Sequence, residues 1–401
     1  MDIVNFIKEN STFLNVDDFD IKFINDFLND SDNVDITYLP ILNYKLLRSL
    51  NSDIKNDLIK NIGELISETN SDLIKFWDNN LTNFFVNDTN STQNKDLVPV
   101  VIFVYNRLDT LEKLISSLKL NPEFKNSEVI IFSDGPKNNL EDEKKVSNVR
   151  NYIKSLNEEK NIKIYESSEN KGLANSIILG LDFISNKYRS FIVLEDDLLV
   201  SPFFLKYMNL SLSKYEKSKK VWCINGFSPD PQILNLVNIN KNSSYWTLRA
   251  SSHGWGTWSD RWKNIDWSNE YLNSVINSRR MKNKMLRAGS DSINMIYLKI
   301  NNKIDSWAIR WVSNIVQNNG LCLNPYYSHT THQFIIPGTH IKTKSEKLVN
   351  NLLLSSPETQ YPKKLKTKKS INKSLQRNIF GPKKFERLNY LFNKAKNLNF
   401  N

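Results

Sequence analysis

The hydrophobic pattern changes character near residue 98. Through residues 1–95, apolar side chains recur every three or four positions among Asp, Asn and Lys, as at Leu50, Ile54, Leu58, Ile62 and Leu65. That spacing lines one face of a helix, and it predicts an all-helical N-terminal region over 1–95. The stretch NDTNSTQNKD at 87–96 has no apolar member and reads as a linker. Beyond it the runs become short, continuous and β-branched: VPVVIFVY (98–105), EVIIFSD (128–134), IKIYES (162–167) and FIVLEDD (191–197). Between them lie helical patterns, LDTLEKLISSLKL, EDEKKVSNVRNYIKSL and GLANSIILGLDFISNKY. Strands apolar on both faces and separated by helices imply βαβ crossovers, hence an α/β class with a Rossmann-like, mostly parallel sheet. After residue 200 the alternation weakens, and helices are expected at 269–287, 291–301 and 305–319.

Composition narrows the class. A chain of 401 residues with 40% hydrophobic side chains can bury sizeable cores, so disorder throughout is excluded. Two cysteines, Cys223 and Cys322, exclude a disulfide scaffold and a four-thiolate zinc site, and they suit a reducing cytoplasm. No apolar stretch reaches the roughly 18 residues of a spanning helix, and the start MDIVNFIKEN lacks the layout of a signal peptide. A soluble, cytoplasmic chain is expected. The net charge of +11 is unevenly spread: residues 1–97 carry −9, residues 341–401 carry +12. The basic C-terminal extension, with KKLKTKKSINK at 363–373, suits an anionic partner or a solvated face.

Candidate chemistry concentrates at strand ends. Glu195, Asp196 and Asp197 follow the apolar run FIVL, where open α/β sheets place their ligands. Three adjoining carboxylates repel one another unless a cation joins them, and a divalent ion bridging to a diphosphate would do so; a helix N-cap is the structural alternative. The first strand ends in Tyr105, Asn106 and Arg107, the second in Ser133, Asp134 and Gly135. Seven of the nine Trp fall between Trp246 and Trp311, as either a sugar-binding cleft or a core of large rings. Flanked by Gly254 and Gly256, Trp255 is expected near a donor sugar. Lys171 opens the third helical pattern. No P-loop or dinucleotide-binding glycine fingerprint follows the first strand, which also disfavours a nucleotidyltransferase. No nucleic-acid-binding module is present.

The ordered series VYNR, FSDG, ENKGLANSI and LEDDL resembles the nucleotide-sugar half of a GT-A glycosyltransferase. The later HGWGTWSDRW (253–262) and IDSWAIRW (304–311) resemble bacterial family-2-like sugar transferases of the N-acetylglucosaminyltransferase I type. The resemblance covers about 98–340, with 341–401 as an added basic extension. It implies that Arg107 and Asp134 hold the base, with Tyr105 beside it, that Asp196 lies by the ribose, and that Lys171 and Glu195 face the donor. It further implies Asp197 as ligand to Mn2+ or Mg2+, His340 in the loop PGTHIK as a phosphate or metal contact, and Asp305 as the base of an inverting transfer. Asp305 has rivals in Asp260 and Asp266, and a helix N-cap is its structural alternative; Ile304 and Ser306 depart from the family pattern around it. The implied partners are a nucleotide-sugar, most often a UDP-sugar, and a glycan or lipid-linked acceptor in bacterial surface polysaccharide synthesis. Peripheral membrane contact through the basic extension and oligomerisation through the N-terminal region are further expectations. An inactive scaffold on the same fold is the competing reading.

Overall fold

The computed structural model describes residues 97–156, 161–229, 231, 234, 236, 243–333 and 359–376, together with 20–22 and 26. Nearly all of the expected N-terminal helical region, the linker at 87–96, His340 and much of the basic extension lie outside the described residues.

The β-branched runs form the expected strands: β1 (Val100–Val104), β2 (Val129–Ser133), β3 (Ile162–Glu166) and β4 (Ser190–Glu195). They pair in parallel in the order β3-β2-β1-β4, with Val101 opposite Ile130 on one side and Val193 on the other. Helices α1 (Leu108–Lys119), α2 (Leu140–Ser155) and α3 (Leu173–Ser185) make the crossovers. The chain steps from β1 through β2 to β3, then returns past β1 to β4. Because such crossovers are right-handed, the reversal puts α3 on the opposite face from α1 and α2. The reversal opens a crevice where the carboxyl ends of β1 and β4 part.

The second half is mixed. After the short β5 (Leu198–Val200) come α4 (Phe204–Tyr215), β6 (Val221–Asn225), β7 (Tyr245–Thr247) and β8 (Trp255–Trp258). Next are α5 (Ser259–Trp262), α6 (Asn269–Asn277), α7 (Arg279–Ala288), α8 (Ser292–Ile300) and α9 (Trp307–Gln317). The chain then forms β9 (Leu321–Asn324), β10 (Thr330–His332) and, in the extension, α10 (Lys369–Ser374). The eight-stranded sheet continues β4-β8-β6-β9-β7, with β8 and β7 antiparallel to their neighbours. The helix expected at 269–287 is two helices, because Ser278 leaves the helical conformation (ψ 114°) and its side chain caps Met281 of α7.

Trp255, Trp258, Trp262 and Trp311 are completely buried, and Trp307 nearly so. Trp255 stacks on Trp307 at 5.3 Å between ring centroids and lies 5.7 Å from Trp311 and 6.0 Å from Trp262. The tryptophan-rich stretch is therefore a core that binds α9 and α5 to the sheet, each ring burying on the order of 150–250 Å2. Trp255 is a correction to the sequence reading: its indole is enclosed by other rings and offers no face to a donor sugar.

Candidate active site

The crevice at the ends of β1 and β4 is built from oppositely charged groups. Arg107, directly after β1, donates from Nη1 to Asp197 Oδ2 at 3.0 Å and from Nη2 to Asp196 Oδ1. The backbone N–H of Tyr105 donates to Asp196 Oδ2 at 3.1 Å, so the 3%-exposed Asp196 side chain has a partner on each oxygen. Burial pushes the Asp196 pKa up while Arg107 pulls it down, and the upward effect wins. Burial acts against the Arg107 charge, yet the two aspartates outweigh it and hold the guanidinium ionised. Glu195, partly covered and beside both carboxylates, is pushed up to about 8, first by burial and then by the charges of Asp197 and Asp196.

Tyr105 and Asn106 are held by Asp142 in the first turn of α2. The phenol donates to Asp142 Oδ2 and the Asn106 amide to Oδ1 at 2.6 Å. The backbone N–H of Lys137 adds a further bond to Asp142 at 2.6 Å, and the Lys137 ammonium lies 5.8 Å from the Tyr105 ring centre. Asp142 is a residue the sequence reading missed. Its position in an acidic helix start, EDE, looks like ordinary dipole compensation, and only the fold brings it to Tyr105.

Asp134 ties β2 to the turn before α3. Its Oδ1 accepts from Gly135 N and Lys171 N, both at 2.9 Å, and its Oδ2 from Gly172 N at 3.0 Å. Lys171 therefore contributes its backbone N–H to this tether, and its side chain is exposed. The turn requires glycine twice: Gly172 has φ +74°, and a Cβ on Gly135 would come within 2.3 Å of the Glu169 backbone.

Asp305 lies across that turn. A Cβ placed on Gly172 would be 3.9 Å from Asp305 Oδ2, while Oδ1 of Asp305 accepts from Lys299 Nζ at 2.7 Å. Its side chain is 59% exposed, and Lys299, 10% exposed, anchors it from α8. The N-cap of α9 is Ser306, whose Oγ accepts from Ile309 N, so Asp305 does not cap that helix. The rival bases sit elsewhere. Asp260 pairs with Lys219 and Arg261 next to Trp258, which lies opposite Ser190 at the start of β4 and so at the far end of the sheet. Asp266 accepts from Ser268 N at 2.9 Å and from its hydroxyl, at the start of α6.

His332, by sequence a polar loop residue, comes from 135 positions beyond Asp197. Strand β10 pairs antiparallel with β5, setting His332 opposite Leu198, and Gln333 N donates to Asp197 O at 2.9 Å. His332 Nε2 consequently lies 3.8 Å from Asp197 Oδ2. The His253 ring meets His332 edge-on at 4.7 Å, and its buried Nδ1 has no partner among the described residues. Burial, then the neighbouring His332, pushes His253 down to about 3, so the ring is neutral, the form that binds metals. His329 instead turns inward, stacked on Tyr207 at 4.6 Å with its Nδ1 3.0 Å from Ser201 Oγ.

Among the described residues no group of three or more His, Cys, Asp or Glu side chains is arranged to hold a metal. Asp197 supplies one carboxylate at this strand end, with the His332 imidazole 3.8 Å from its Oδ2, so a divalent ion held there would take most of its ligands from phosphate and water.

The model of the GNT-I family matches residues 11–288, more than half of the chain. The chain belongs to the GNT-I family. That family agrees with the resemblance carried by VYNR, FSDG and LEDDL. Among solved structures, GalNAc-T7 with UDP, GalNAc and Mn2+ is similar at 15% identity and a TM-score of 0.38, over 66% of this chain and 50% of that one. This GNT-I family member thus spans about half the length of that relative. The mannosyltransferase PcManGT of Pyrobaculum calidifontis, with GDP-Man and Mn2+, is similar at 11% identity and a TM-score of 0.33, over 61% of this chain and 75% of that one. No curated protein sequence matches the chain.

Proposed function

We propose that the protein transfers a sugar, with inversion, from a nucleotide-sugar to a glycan or lipid-linked acceptor, using Asp305 as base and the acidic end of β4 as the donor site. The observation that carries this reading is the placement of Asp305 against Gly172, in the turn that Asp134 ties to the sheet, at the same strand ends that hold Arg107 and Asp197.

In this reading Arg107 and Asp134 hold the donor base beside the Tyr105 ring, which Asp142 fixes. The ribose lies by Asp196, and Lys171 and Glu195 face the donor. Asp305 Oδ2 accepts the proton of the acceptor hydroxyl as that oxygen bonds to the anomeric carbon, and the bond from that carbon to the diphosphate breaks. Lys299 holds Oδ1, leaving Oδ2 as the basic atom. Asp197, with His340 as the family resemblance implies, would hold Mn2+ or Mg2+, whose charge would offset that of the departing diphosphate. Family resemblance favours a UDP-sugar and an acceptor in bacterial surface polysaccharide synthesis. The basic extension suits a peripheral contact with an anionic membrane; among the described residues no helix is long and apolar enough to cross one.

The test is a thermal-shift screen against UDP-, GDP-, CMP- and dTDP-sugars, each with Mn2+, Mg2+ or EDTA. A ligand that binds only the folded chain raises the melting temperature. A metal-dependent rise with one nucleotide family, lost in Asp197→Ala and kept in Asp305→Asn, is the expected result; no rise with any nucleotide refutes the donor site.

A further inference from the structure

At the end of the sheet remote from the crevice is a cavity of about 180 Å3 with a cationic rim. Lys220 directly precedes β6, and Leu321 opens the parallel strand β9. Strand β6 runs in the same direction as β4, since both are antiparallel to β8 between them. The amino ends of β6 and β9 therefore point away from Asp197, and the cavity is separate from the donor site.

Two segments far apart in sequence close it. Helix α7 and residues 359–376 carry five and six Lys or Arg respectively, and neither contains an Asp or Glu. Tertiary contacts bring them together: Ser290 Oγ donates to Gln376 O at 2.7 Å, and the Gln376 amide donates to Leu286 O. Lys284 and Arg287 of α7, Lys366 of the extension and Lys220 converge on the cavity, whose floor is Leu248, Val316 and Leu321. Lys284 Nζ is held by Asn319 Oδ1 at 3.0 Å, and Asn319 is itself in the left-handed conformation, φ 51°. Among the described residues no carboxylate forms an ion pair with Lys220, Lys284, Arg287 or Lys366.

Four converging cations without a counter-charge repel one another, and an anion in their midst turns that repulsion into attraction. The volume is enough for a tetrahedral anion and some of its water. Ammonium and guanidinium groups around a small depression with an apolar floor match a phosphoryl group, which accepts several charge-assisted hydrogen bonds at once. We propose that this cavity binds a phosphoryl group, free in solution or on a lipid headgroup.

Full-length protein in EDTA, which silences metal-dependent donor binding, is titrated calorimetrically with inorganic phosphate and with diphosphate. In a second arm it is sedimented with phosphatidylcholine vesicles with and without phosphatidic acid. The expected result is that Arg287→Gln combined with Lys366→Gln weakens binding about tenfold or more. Lys363→Gln combined with Lys369→Gln removes the same charge from exposed neighbours outside the cavity and leaves binding unchanged. Lys220→Gln, a single exposed change, gives a partial loss should the double variant not fold. Binding of free phosphate without vesicle binding assigns a soluble ligand; the reverse assigns a headgroup. Absence of binding in both arms, or equal loss in the two double variants, overturns the proposal. Neither result bears on the donor site, which the metal-dependent nucleotide shift tests separately.

Discussion

Arg107 and Asp197 are joined end to end across the crevice, Nη1 to Oδ2 at 3.0 Å, by a guanidinium that also holds the buried Asp196. The two aspartates differ in what depends on them. Asp197, with 13% of its side chain exposed, faces the open crevice, whereas Asp196 has partners on both oxygens. Removing Arg107 leaves a buried carboxylate without its cation. Arg107→Ala is expected to destabilise the fold by about 3–5 kcal/mol, with Arg107→Lys restoring part of the loss. Asp197→Ala should cost far less stability while abolishing the metal-dependent nucleotide shift. Urea unfolding of the three variants separates these effects.

Asp305→Asn keeps the side chain's shape and removes its basicity. A fall in kcat of about 10²–10⁴-fold is expected, with the nucleotide-induced melting shift unchanged. Asp260→Asn, at the far end of the sheet, should leave kcat within about twofold. Initial-rate kinetics on both variants decide between the two carboxylates.

Gly172→Ala tests the turn between Asp134 and Asp305. Its φ of +74° disfavours an L side chain, and the added methyl would stand 3.9 Å from Asp305 Oδ2. A stability loss of about 1–3 kcal/mol is expected from the backbone alone, accompanied by a lower kcat. Loss of stability with kcat intact would show that the turn does not position Asp305.

His329, whose ring turns inward onto Tyr207, supplies a pH dependence of stability. Burial holds its ring down to about 3, while in the unfolded chain it titrates near the ordinary histidine value of about 6.5. Between those values the unfolded chain binds the extra proton, so the contribution is fully present above pH 6.5 and is lost as pH falls toward 3. The slope per such group approaches about 1.4 kcal/mol per pH unit. Unfolding midpoints of His329→Gln measured from pH 7 to pH 4.5 should fall less steeply than those of the parent.

Trp255 and Trp267 should differ in how much their truncation costs. Trp255 is wholly enclosed by other rings, and Trp255→Ala is expected to cost about 3–5 kcal/mol. Trp267, partly covered and 4.9 Å from Trp262, should cost well under half as much, as read from denaturant midpoints.

The strands β1 to β4 and their helices were legible because a strand buried on both faces leaves a continuous apolar run, and an amphipathic helix leaves a three-to-four period. The carboxylates after β4 and Arg107 after β1 were legible for a related reason: residues that follow a parallel strand emerge at its carboxyl end. Tertiary structure decided what distant segments bring to those ends. His332 reaches Asp197 only because β10 pairs with β5, and no local pattern encodes a pairing across 135 positions. Trp255 looked like a sugar platform because an indole has the same composition in a cleft and in a core; only the enclosing Trp262, Trp307 and Trp311 settle which it is. The meeting of α7 with the basic extension is likewise a product of packing, since charge runs show their sign in sequence but not the surface on which they converge. Local periodicity is written residue by residue, whereas a site is a set of distances between elements, and those exist only once the core has closed.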